Sequence, residues 1–138
     1  PGVEIEGKGL LERDQQFSMA IVDSIALCST MRAGISLENQ AKAYSAVTGI
    51  KVDTSNLIVA AERIINLERM YNVRLGFNRS HDMLPKRFIK EPMPRGKSEG
   101  QVVELESLLD DYYSVMSWDT NGIPTKKKLK ELELIDYI

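Results

Sequence analysis

Residues 53–76 read DTSNLIVAAERIINLERMYNVRLG, and this stretch decides the fold. Leu57, Ala61, Ile64, Ile65, Leu67 and Tyr71 recur at spacings of three and four, the period that puts side chains on one side of an α-helix. Glu62, Arg63, Glu68 and Arg69 flank that stripe. Asp53 or Thr54 supplies an N-cap, because a short oxygen-bearing side chain can accept an otherwise orphaned backbone N–H. The helix is expected to end near Leu75, with Gly76 following as a C-terminal stop. Its apolar stripe is wide enough to require packing against more than one neighbour, so it is read as core and not as a cofactor box.

The same period extends to both sides. Upstream, Ser36 caps a helix running through Val47 whose apolar face is Leu37, Ala41, Tyr44 and Val47, with Gly49 at its C-terminal end. An earlier helix spans about Asp14 to Ala26, with Phe17, Ile21, Ser24 and Cys28 in register and Ala20 and Ile25 beside them. Residues 1–11 carry Gly2, Gly7 and Gly9 without sustained periodicity and read as a loop, linker or remnant of a preceding domain. Downstream, Pro85, Pro92, Pro94, Gly96 and Gly100 punctuate residues 76–100 as a loop with one short turn at Lys86–Lys90. A helix follows at Leu105–Met116, with Leu105, Leu108, Leu109, Tyr112 and Met116 directed inward. Asn121-Gly122 is a turn, and Thr125 caps a last short helix bearing Leu129 and Leu132. No stretch alternates as a strand would. The expectation is a single all-α domain of about four main helices plus short turns, without significant sheet.

Composition narrows the function. A chain of 138 residues can bury one core unaided. Its net charge of -2 argues against bulk nucleic-acid binding. Even the most apolar run, Met19–Cys28, contains Asp23 and Ser24, so no membrane span is expected. The opening Pro1-Gly2-Val3-Glu4 has no initiator Met and no signal-peptide pattern, and reads as a fragment boundary. One cysteine excludes an internal disulfide framework and fits a reducing, cytoplasmic setting. With one histidine besides, the chain cannot build a zinc or iron–sulfur site by itself; any metal must borrow most of its ligands.

The segment Asp23-Ser24-Ile25-Ala26-Leu27-Cys28 concentrates the chemistry. It sets a carboxylate within an apolar helix, five residues before the only thiol. On spacing alone, Asp23 bridges to a neighbouring Arg or caps a backbone, and Cys28 is a small core hydrophobe. His81 lies in a polar loop and reads as a surface residue. Arg79, Lys86, Arg87, Lys90, Arg95 and Lys97 form a basic stretch opposed only by Asp82 and Glu91. It is either a solvated loop, one paired with other domains, or a docking surface for an acidic electron carrier. Lys126-Lys127-Lys128 reads as a solvated face.

Asp23–Cys28 also resembles the second pterin-binding motif of the aldehyde:ferredoxin oxidoreductase family, an aspartate, two residues, often a glycine, then leucine and cysteine. Further likenesses follow in order: Ser45-Ala46-Val47-Thr48-Gly49, Glu62 to Arg69, Asn72 to Phe77, Leu84-Pro85-Lys86-Arg87-Phe88, Asp110-Asp111-Tyr112-Tyr113, and Trp118 to Thr125. Together they span roughly residues 15–132. The resemblance implies the C-terminal helical domain of a larger enzyme, inactive alone, that oxidises aldehydes to carboxylic acids. It implies a tungsten or molybdenum bis-pterin cofactor and a 4Fe–4S cluster, both completed by N-terminal domains. Ferredoxin is the implied electron acceptor, and the assembly is one copy or a homo-oligomer. Carried over by position, Asp23 binds the pterin edge, Leu27 contacts it through its backbone, and Cys28 is one cluster ligand. No catalytic acid or base is placed on this chain. The sequence departs from the commoner pattern at Ala26, where glycine is frequent. A stand-alone helical interaction module, with Asp23 and Cys28 structural, is the alternative. Another is a parent acting on activated aromatic acids.

Overall fold

The computed structural model describes residues 5–137 of the chain, apart from the side chains of Met31 and Tyr137. Residues 1–4 of the expected N-terminal loop lie outside the described residues. Six α-helices follow one another: α1 Lys8–Ser24, α2 Leu37–Thr48, α3 Thr54–Arg74, α4 Lys86–Lys90, α5 Leu105–Met116 and α6 Lys126–Glu131. Short 3-10 turns stand at Ser29–Ala33, Arg79–His81 and Ile135–Tyr137. Among the described residues the only β pairing is one bridge, Trp118 to Pro124. The all-α expectation holds. No helix of the described chain is long and apolar enough to cross a membrane.

Local chemistry sets most of the boundaries. The Ser36 hydroxyl accepts from the Asn39 N–H to open α2, and Gly49 closes it in the left-handed region at φ 74°. Asp53 and Asn56 form a reciprocal capping box at the head of α3. Thr125 caps α6 by accepting from the Lys128 N–H. The first helix departs from expectation. It begins at Lys8, so residues 8–11 are helical where a loop was expected. Two tertiary contacts explain this. The Gly9 N–H donates to Asp111 Oδ2 at 2.6 Å, and a Cβ at Gly9 would stand 2.7 Å from the Asp111 and Tyr112 backbone. Asp111 on α5 thus satisfies an N-terminal donor of α1, and the missing side chain lets the two helices touch.

Phe17, Ala20 and Ile21 of α1 pack with Ala41 of α2, Leu57 and Ala61 of α3 and Met116 of α5. Leu129, Leu132 and Leu134 make a smaller cluster on Met70. Several positions expected inside are outside. Val47 is 87% exposed, and Leu67 and Tyr71 are open to solvent. Ser24 and Cys28 are exposed as well, whereas Tyr113, unexpected, is buried.

Candidate functional site

The resemblance motifs divide into two groups with different roles. Glu62, Asn66 and Arg69 lie four and three residues apart on one face of α3, and each holds a distant segment. Glu62 pairs with Lys128 at 2.9 Å. Asn66 is fully buried, accepting from the Trp118 indole N–H at 2.9 Å and donating to the Glu62 carbonyl at 2.9 Å. Arg69 clamps Asp82 with both terminal nitrogens, at 2.8 and 2.6 Å, and donates from Nε to the Gly122 carbonyl at 2.7 Å. Its guanidinium stacks 5.0 Å from the Trp118 ring centroid. The Tyr113 hydroxyl also donates to Asp82. Burial pushes the Asp82 carboxyl up, but donors from Arg69 and Tyr113 outweigh it and leave its pKa below the ordinary value. Burial and the adjoining Asp82 carboxylate raise Tyr113.

Trp118 to Thr125 is the segment being held. Asp119 Oδ1 accepts from the Asn121 and Ile123 N–H groups, forming the turn. Gly122 has φ 73°, and a Cβ there would strike Arg69 and Tyr113. These motifs build a frame.

The other group lies at the C-terminal end of α1. Ala26 stands in the left-handed region at φ 58°. The Leu27 N–H reaches back to the Val22 carbonyl at 3.0 Å and the Ala26 N–H to the Asp23 carbonyl at 3.3 Å. This is the paired closure that usually employs glycine at the Ala26 position. It turns the chain sharply, so that Asp23 and Cys28 flank one bend. Asp23 is exposed and lines a cavity of about 440 Å³ with Gln16, Met19, Ser24 and, across the groove, Ile64, Ile65 and Glu68 of α3. No described residue donates a hydrogen bond to its carboxylate or pairs with it. The Arg bridge expected on spacing alone is therefore absent among the described residues. Cys28 is exposed, not a core hydrophobe, and its Sγ lies 2.9 Å from Thr30 Oγ1. The bend is anchored by Arg32, whose Nη1 donates to Gln15 Oε1 on α1 at 2.5 Å. Leu27 is half-buried; with its N–H committed to Val22, its carbonyl is the backbone group left to meet a ligand.

The cavity beside Asp23 adjoins a second, of about 810 Å³, through shared Gln16, Ile65 and Glu68; the second reaches Arg69, Tyr112 and Trp118. Tyr112 donates to Gln16 between them, and burial, with nearby Glu12, pushes its phenol up to about 12. Among the described residues no three His, Cys, Asp or Glu side chains converge on a metal position.

Three surface features resolve differently. His81 is exposed, its ring 4.9 Å from Phe77, as its loop position suggested. Arg79 leaves the basic stretch to bind Glu106 at 2.7 Å and Asp110 at 2.6 Å. Of the other basic residues of the stretch, Arg87 lines a third cavity together with Lys8 and Met93. Lys8 is at the far end of α1 from Cys28, and a helix of 17 residues is about 25 Å long. Lys128 is not part of a solvated face: it lies between Glu62 and Glu131, which raise its pKa against the lowering effect of burial.

Comparison with known proteins covers nearly the whole chain. Residues 2–134 match the family described as aldehyde ferredoxin oxidoreductase, domains 2 and 3. A tungsten-containing aldehyde ferredoxin oxidoreductase from Pyrococcus horikoshii is 35% identical over 120 residues, covering 86% of this chain and 20% of that protein. The corresponding Pyrococcus furiosus protein is 34% identical over 119 residues, with the same coverage of each. Among solved structures, the active-site complex BamBC of benzoyl coenzyme A reductase, in complex with 1,5-dienoyl-CoA, shares 32% identity at a TM-score of 0.58. That match covers 71% of this chain and 14% of the other.

Proposed function

This chain belongs to the aldehyde ferredoxin oxidoreductase family, and from that premise we propose that it is the helical C-terminal domain of a tungsten–pterin, iron–sulfur enzyme. It spans 20% of the length of the curated relatives. In this reading Asp23 and the Leu27 carbonyl hold the edge of one pterin, and Cys28 supplies one of the ligands of a 4Fe–4S cluster. Upstream domains supply the remaining ligands, and the fragment is inactive alone.

The single observation that carries this is the α1 bend. It presents a carboxylate without a donor among the described residues, beside an open cavity, and a thiol outside the core five residues on. The donor chemistry fits the groups. A pterin edge offers adjacent N–H donors that one carboxylate can accept in pairs, and iron–sulfur clusters take thiolates. When bound, the metal–pterin group and the cluster would supply the redox chemistry that turns an aldehyde and water into a carboxylic acid, with ferredoxin as the acceptor of single electrons. This chain's own part is to hold and orient. Asp23 fixes the pterin edge, the Ala26 turn sets the spacing to Cys28, and Ile64 and Ile65 present an apolar wall.

The stand-alone helical interaction module, with Asp23 and Cys28 structural, is less favoured because Asp23 has no bridge among the described residues and Cys28 is exposed. A second reading keeps the domain and changes the parent's substrate, favoured by the likeness to benzoyl coenzyme A reductase. Assaying the full-length enzyme with aldehydes and with aromatic acyl-CoA thioesters separates the two.

The site is tested in that enzyme by Cys28→Ser and Asp23→Asn. Cys28→Ser replaces a soft thiolate with a poor iron ligand and should remove or alter the cluster's electron paramagnetic resonance signal. Asp23→Asn keeps the volume but turns an amide toward the pterin donors. Each charge-assisted bond lost is worth roughly 1.5–3 kcal/mol, enough to lower tungsten and pterin content while the cluster assembles. An unaltered cluster in folded Cys28→Ser enzyme removes the ligand assignment. Full tungsten content in Asp23→Asn removes the pterin assignment.

A further inference from the structure

Among the described residues, two hydroxyls near the bend behave differently. Ser24 Oγ donates to its own helix at the Ala20 carbonyl, 2.6 Å away. Thr30 Oγ1 instead lies 2.9 Å from Cys28 Sγ. It is the second residue of the Ser29–Ala33 3-10 turn, which Arg32 ties to Gln15 of α1 at 2.5 Å. A threonine side chain is restricted at χ1, so a hydroxyl on so short and anchored a segment has little freedom to turn away.

We propose that Thr30 is a positioning residue for the cluster thiolate, donating its hydroxyl proton to Cys28 Sγ and thereby raising the reduction potential of the cluster. The inference rests on the reading of Cys28 as a cluster ligand. Between a thiol and a hydroxyl, either atom can donate. A metal-bound thiolate has no proton, so there the hydroxyl must be the donor. Hydrogen bonds to cluster sulfurs are among the factors that set these potentials, and groups behind the ligands commonly tune them. Reduction adds one negative charge to the cluster, part of it on sulfur. A donor aimed at that sulfur stabilises the reduced state more than the oxidised one. The proton stays on oxygen throughout, and one electron enters and leaves, so no covalent bond changes.

The experiment is a potentiometric titration of the full-length enzyme, followed by the cluster's electron paramagnetic resonance signal, with Thr30→Val, Thr30→Ala and Thr30→Ser. Valine keeps the shape without the hydroxyl; alanine deletes the hydroxyl without valine's bulk. Both should shift the one-electron equilibrium about tenfold toward the oxidised cluster, which is a fall of about 59 mV. Thr30→Ser should restore the wild-type potential. A proton coupling to the cluster that is lost on exchange from water into deuterated solvent should be present in the wild type and in Thr30→Ser and missing from the valine and alanine variants. An unchanged potential in Thr30→Val, disagreement between valine and alanine, or a serine variant that behaves like valine overturns the inference. Cys28→Ser separates the two layers. If it leaves the cluster complete, the site reading itself fails. If it removes the signal while the Thr30 variants keep the native potential, only the role of Thr30 fails.

Discussion

Arg69→Leu is the substitution the frame should tolerate least. The guanidinium gives two bonds to Asp82 and one to the Gly122 carbonyl, and lies over Trp118. The Arg69 and Asp82 side chains are only 11% and 24% exposed. Surface ion pairs contribute about 0–1 kcal/mol, whereas breaking a buried pair costs roughly 3–5 kcal/mol because a charge is left without a partner. The residual exposure places this pair at the lower end of the buried class, and leucine keeps some contact with Trp118. The expected loss is therefore about 3 kcal/mol, a large share of a domain stability of roughly 5–15 kcal/mol. Urea denaturation at neutral pH, followed by far-ultraviolet circular dichroism, measures it directly. The double variant Arg69→Leu with Asp82→Leu removes the orphaned charge along with its cause. It should be more stable than the two single losses summed, with a coupling of about 2 kcal/mol. A loss under about 1 kcal/mol in Arg69→Leu, or simple additivity in the double variant, refutes the clamp.

Further outcomes follow from single positions. Ala26 holds a left-handed turn that costs an L-residue roughly 1–2 kcal/mol; set against glycine's larger unfolded-state entropy, Ala26→Gly should stabilise the chain by about 0.5–1 kcal/mol in the same denaturation assay. Gly9→Ala drives a methyl into the Asp111 and Tyr112 backbone, where no flexible side-chain end can yield; it should cost about 3 kcal/mol, the upper end for overpacking, and a midpoint near wild type would contradict the close approach. The folded pKa of Asp82 lies below its unfolded value, so its stabilisation is complete above an unfolded pKa of about 3.9 and is lost as the pH falls through the folded value. The stability gap between wild type and Asp82→Asn should therefore be widest near neutrality and close below about pH 4; a gap independent of pH would mean that Asp82 is not held ionised by Arg69.

Sequence alone placed α2, α3 and the start of α6 within a residue or so because those ends are written locally. Ser36, Asp53 and Thr125 each cap the helix that follows them. The start of α1 was not legible. Its donor is satisfied by Asp111, 102 residues away, and Gly9 looks like a helix breaker until α5 is packed against it. Lys128 misled for the same reason, since its partner Glu62 lies 66 residues upstream. The resemblance motifs were visible as motifs, but their work was not. A spacing of four and three among Glu62, Asn66 and Arg69 marks a polar stripe running along the edge of the apolar one, and that is the signal from which a clamp could have been inferred.

What distinguishes the candidate site from the frame is where its polar groups find partners. Glu62, Asn66, Arg69, Asp82 and Lys128 are part-buried or buried, and every one of them is satisfied from within the chain. That is how polar residues behave when their function is to fix one packing. Asp23 lines the cavity between α1 and α3 and has no donor from any described residue. Cys28, among the residue types most often buried, is held outside the core by a turn that strains Ala26. Leu67, Tyr71 and Leu75, four residues apart on α3, add an apolar strip open to solvent, of the kind that marks a contact surface when contiguous. The proposed role of the domain, closing over a cofactor held mainly by other domains, draws on these features: a carboxylate and a thiol left at the surface, and an apolar strip open to solvent.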